Sequence, residues 1–115
     1  MKPIRMNGEL GVKDLAALGL NPTAKSIKKS GVETIDIDKW CIYEDVNVKT
    51  GELQTLLSIM DKNGSVLTTN SATFIREFTA HIDLYESMGA SPEKVNVIRA
   101  IAGKSQREYI SCTVE

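Results

Sequence analysis

Tyr109 and Arg107 lie two residues apart in the run Arg107-Glu108-Tyr109-Ile110-Ser111-Cys112-Thr113-Val114. Apolar residues at 110, 112 and 114 claim one face of an extended chain, so alternation puts Arg107 and Tyr109 together on the other. An exposed ring beside a guanidinium is what single-strand nucleic-acid binding uses: bases stack on the ring and the cation neutralises phosphate. A tyrosine there can also serve as a plain cross-strand packing partner. Trp40 and Tyr43 form a second aromatic pair, three residues apart, and on a regular strand they face opposite ways. A bulge near Asp38-Lys39 would send Trp40 to the core and leave Tyr43 as the stacking platform; without it the roles exchange. Basic residues that could hold phosphate are Lys49 in a turn, Arg99, Lys104, and the pair Lys28 and Lys29.

Other chemistries fail on spacing. His81 is the only histidine and has no suggested partner for acid–base work. Gly103-Lys104-Ser105 resembles the end of a phosphate loop, but that loop needs a glycine at position 98, which is isoleucine. Asp36 and Asp38 share a strand face, yet two carboxylates alone make a poor cation site. No catalytic role, cofactor or metal is expected.

Composition sets wider bounds. With 115 residues, 42% hydrophobic and 25% charged, the chain has the size and make-up of one globular domain. Aromatic residues are only 5%, so each exposed ring carries more weight. The net charge of −1 argues against a uniformly basic duplex binder. The charges are segregated: residues 1–32 carry six bases against two acids, and residues 33–61 carry seven acids against two bases. Cys41 and Cys112 lie on strand-like segments and read as buried thiols rather than a metal pair. There is neither a run of the ~20 apolar residues that a membrane helix needs nor a secretory leader, so a soluble cytoplasmic protein is expected.

The elements that must position these groups can be read in order. Residues 1–10 read as an irregular arm, Gly11 to Leu20 as a short helix ended by Asn21-Pro22, and Ala24 to Ser30 as a second helical turn carrying Lys25, Lys28 and Lys29. Glu33 to Asp45 reads as one long strand, and Leu53 to Ile59 as the next. Asp61-Lys62-Asn63-Gly64 is a hairpin signal leading to a short strand at 66–69. Phe74, Ile75, Phe78, Ile82 and Tyr85 repeat at helical spacing after an Asn70 or Ser71 cap, and Gly89 closes that helix. Two more strands follow, around Val95 to Ile101 and Arg107 to Val114. The order β-β-β-α-β-β predicts a mainly β protein with an OB-fold, a five-stranded antiparallel barrel over 33–115, preceded by an N-terminal helical arm over 1–32.

The stretches Ile42-Tyr43-Glu44-Asp45-Val46-Asn47…Lys49-Thr50-Gly51 and Gly64-Ser65-Val66-Leu67-Thr68-Thr69-Asn70-Ser71-Ala72-Thr73-Phe74 resemble the small single-stranded DNA-binding proteins of bacteriophages and mobile elements of low-GC Gram-positive bacteria. The resemblance spans roughly 33–115. It implies coverage of single-stranded DNA without sequence preference during replication or recombination, in the host cytoplasm, with Tyr43, Tyr109, Arg107 and Lys104 among the contacts. Several protomers on one strand, a homo-oligomer, would suit so acidic a chain. The rival reading is an OB-like protein-interaction module, a phage adaptor or host-factor inhibitor, whose acidic strand region meets a basic partner.

Overall fold

The computed structural model describes residues 1–115 as seven strands and three helices. In chain order these are β1 (Lys2–Met6), α1 (Val12–Gly19), β2 (Lys25–Ser26), α2 (Ile27–Ser30), β3 (Thr34–Val46), β4 (Leu53–Asp61), β5 (Val66–Thr69), α3 (Ala72–Ser87), β6 (Lys94–Ile101) and β7 (Glu108–Val114). They form one curled, mixed sheet, a half-barrel, in the order β2-β5-β4-β3-β6-β7 with β1 added on β3. The five expected strands correspond to β3 to β7, and α3 lies between β5 and β6 as expected. The sheet departs from an all-antiparallel, five-stranded barrel in three respects, the first being that β5 and β7 do not pair, so it is not closed. Residues 1–32 add two strands, and the short β2–β5 pairing is parallel. Residues 2–6, expected to be irregular, pair with Glu44 to Cys41 of β3.

β3 organises the sheet. Its first residues pair with β6, and β4 runs along its other edge from Ile37 to Val46. The register with β4 slips between Ile37 and Lys39, which makes Asp38 a bulge. One extra residue changes which face each later side chain takes. Ile35 and Ile37 before it, and Trp40 and Ile42 after it, therefore all enter the main core. On the opposite edge of β3, Asn7 bridges the gap between the β6 and β1 pairings: its side chain donates to the Asp38 carbonyl (3.0 Å) and accepts from the Trp40 amide (2.8 Å).

The hairpin at 61–65 forms because Asp61 Oδ1 accepts from the amides of Asn63 and Ser65, both at 2.9 Å, and Gly64 takes the positive φ (+86°) that the turn needs. Ser71 caps α3, its hydroxyl accepting from the Phe74 amide (3.2 Å). The α3 stripe then buries Phe74, Phe78 and Ile82 against the inner sheet face, with Phe78 edge-on to Trp40 at a centroid distance of 5.2 Å. Four ion pairs fasten the N-terminal segment, one of them from the Met1 amine to Asp45 at 3.6 Å. Arg5 reaches Asp83 (2.7 Å) and Glu86 (2.9 Å) on α3, and Lys39 meets Asp14 of α1 at 2.9 Å. The hydrogen bond from Lys39, and then that from the Gly11 amide, hold the Asp14 carboxyl below its ordinary pKa.

Both cysteines are free and buried. Burial pushes the Cys112 thiol up to about 12, with the Glu77 charge adding to it, and burial raises Cys41 as well. Two outcomes are expected. Phe78→Ala should cost about 3–5 kcal/mol in denaturant unfolding, the range for truncating a large core side chain. Because an unfolded thiol ionises near 9.0 and folded Cys112 only near 12, the stability that the buried neutral thiol contributes is present below pH 9 and lost as pH rises toward 12. Unfolding curves for Cys112→Val should lose less stability across that window than those of the parent chain.

Candidate nucleic-acid interface

The half-barrel has a seam. β5 is paired with β4 on one edge and with only two residues of β2 on the other, while β7 is paired with β6 alone. Between them runs a groove of about 480 Å³. Lys28 and Lys29 of α2 line it, with Thr68, Thr69, Asn70 and Ser71 from the end of β5 and the α3 cap, and with Glu108, Tyr109 and Ile110 of β7. Lys94 and Glu115 exchange both of their N–H···O=C bonds. By strand periodicity the odd-numbered residues of β7 therefore bond to β6, and the N–H and C=O of Ile110 turn toward the seam.

Three of the residues expected to meet a ligand converge here from distant parts of the chain. Lys28 and Lys29 are exposed and take part in no ion pair. Tyr109 is 41% exposed, because Ile110, Cys112 and Val114 take the inward positions of β7. Across the β6–β7 ladder it faces Ala100, and exposed Ile98 stands one pair further along the same outer face. Glu108 is the one acid in the groove and partly offsets the lysines.

The other expected contacts are placed differently. Lys49 sits at the tip of the β3–β4 turn, where Asn47 Oδ1 accepts from its amide at 2.9 Å. Lys104 and Arg107 belong to the β6–β7 turn, closed by hydrogen bonds between Ala102 and the Gln106–Arg107 segment. All three are exposed, and none lines the groove.

Three expectations need correction. Tyr43 is not a stacking platform: it is 4% exposed, and its hydroxyl shares a 3.0 Å hydrogen bond with Ser58. The bulge does turn Tyr43 away from the main core, but β1 and α1 cover that side, packing Leu18, Leu15, Met1 and Met6 around Cys41 and Tyr43. Trp40 is 2% exposed in the main core, so neither ring of this pair can meet a base. Arg99 is not free for phosphate. Its guanidinium donates to the carbonyls of Ile27 (3.1 Å), Lys28 (3.1 Å) and Val32 (3.0 Å).

The polar wall from Thr68 to Ser71 is the part of the groove that residue-by-residue reading does not single out. In the sequence it shows only as a strand end running into a helix cap. The chain matches no family model, no curated protein and no solved structure, so none of these comparisons points to a phage or mobile-element DNA-binding protein. No helix is long and apolar enough to cross a membrane.

The burial of Tyr43 has a direct consequence. Tyr43→Phe should lower unfolding free energy by about 0.5–1.5 kcal/mol, the net worth of one hydrogen bond, and leave binding to an oligonucleotide unchanged. Chemical denaturation and a fluorescence-anisotropy titration measure the two effects separately.

Proposed function

We propose that the protein binds single-stranded DNA without sequence preference and catalyses no reaction. The carrying observation is the seam, where an exposed ring and two unpaired lysines from separate elements face one groove. Stacking on Tyr109 tolerates any base, and Lys28 and Lys29 supply charge for the backbone. The element order from β3 to β7, with α3 between β5 and β6, supports an OB-type barrel, partly open at the seam. In such barrels the loops after the first and fourth strands also take ligand. Here those are the turns carrying Lys49 and Lys104–Arg107, so a strand leaving the groove has basic hairpin tips to follow. The resemblance stated above supports a place in replication or recombination of a phage or mobile element, with several protomers along one strand.

A second reading is favoured by the unpaired edge of β7. An extended peptide could add to that edge as a further strand, which would make the protein an interaction module. Titration against labelled oligo-dT at several salt concentrations separates the two. Binding should weaken as salt rises. Lys28→Ala/Lys29→Ala should flatten the log–log salt slope by about 1.4, two charges at ~0.7 each for single strands. Tyr109→Ala should weaken binding by about 1–3 kcal/mol with the slope little changed. No binding at low salt would leave the interaction module.

A further inference from the structure

α2 is a single turn of four residues, too short to persist on helical propensity. It is nevertheless the element that presents Lys28 and Lys29 to the groove. Four features hold it. Ile27 is fully buried in the main core. The Ser26 hydroxyl accepts from the Lys29 amide at 3.3 Å. At its other end the carbonyls have no helical partner, as at any helix C-terminus, and Gly31 turns the chain away with φ +74°. The Ser30 hydroxyl donates to the Ile27 carbonyl (3.1 Å), and Arg99 reaches this end from β6, on the opposite side of the seam from β5. One guanidinium bridges three carbonyls spread over Ile27 to Val32. A planar fork of five donors suits this; an ammonium, a point charge on a flexible stem, does not.

We propose that Arg99 is a positioning residue: it touches no ligand and fixes the α2 turn so that Lys28 and Lys29 stand at the groove. The clamp thereby keeps the charges of Lys28 and Lys29, neither of them in an ion pair, at the groove against the single acid Glu108. This role rests on the reading of the seam as a nucleic-acid groove, and it makes Arg99 act through the two lysines rather than beside them.

The test is a cycle of variants titrated against oligo-dT at several salt concentrations, with backbone 15N relaxation of residues 27–32 recorded on each. Arg99→Ala should weaken binding by the same factor as Lys28→Ala/Lys29→Ala and flatten the salt slope by about the same ~1.4, twice the single-strand value per charge. Adding Arg99→Ala to the double lysine variant should change nothing further. Arg99→Lys keeps the charge and should still show most of the loss. Faster backbone motion should appear at 27–32 in both Arg99 variants. Full affinity in Arg99→Lys, or an additional loss in the triple variant, would mean that Arg99 acts as a charge on the ligand and would overturn the proposal. If the parent chain fails to bind oligo-dT, the nucleic-acid reading falls by itself. The clamp is then decided by relaxation alone: unchanged order at 27–32 in Arg99→Ala and Arg99→Lys overturns it, and selective loosening sustains it.

Discussion

The bulge at Asp38 is the constraint on which the rest of the structure depends. A strand of thirteen residues cannot serve three neighbours and a curled core while staying strictly alternating. The slip between Ile37 and Lys39 resets the phase, so that Ile35, Ile37, Trp40 and Ile42 all reach one core. It also sets where β3 changes partner along one edge, from β6 at residues 34–36 to β1 at 41–44. On that edge the change of partner leaves the Asp38 carbonyl and the Trp40 amide without a strand partner. Asn7, the residue after β1, supplies both partners, so the bend in β3 and the docking of the N-terminal segment are one feature.

That docking changes what the half-barrel can offer a ligand. The outer face of β3 and β4 carries Cys41, Tyr43, Leu56 and Met60, and α1 with β1 packs over it as a small second core. On the OB-type reading proposed above, the ligand face is the one formed by the second and third strands, which correspond to β4 and β5. With the adjoining outer surface of β4 largely under cover, the exposed residues among the expected contacts fall at the seam (Lys28, Lys29, Tyr109) and at two hairpin tips (Lys49, Lys104 and Arg107). The same N-terminal segment provides β2 and α2, so it closes one surface while lining the groove that stays open.

What could be read from the sequence follows the range of each signal. The α3 stripe, the Asn63-Gly64 hairpin, the alternation in β7 and the bulge in β3 are local patterns of phase, and each appears where its period places it. Strand phase tells which residues share a face but not what lies over that face. Tyr43 shows the limit: its phase is right and its exposure wrong, because its cover comes from residues more than twenty positions away in the chain. β2 is too short, at two residues, to show a period, and β1, Lys2-Pro3-Ile4-Arg5-Met6, carries a proline that argues against a strand. Lys28 and Lys29 look like any solvated basic turn until α2 is docked. Arg99 is hidden for a different reason, since its acceptors are main-chain carbonyls, which every residue type carries.

The most direct test of the seam as the binding site is a 1H–15N chemical-shift titration of the chain with unlabelled oligo-dT at low salt. Shifts should concentrate at Ser26 to Lys29, Thr68 to Ser71 and Glu108 to Ile110, with smaller ones at the tips around Lys49 and Lys104, and none at Tyr43 or Trp40 beyond noise. Shifts confined to another surface, or none at saturating oligonucleotide, would contradict the seam as the place where DNA is held.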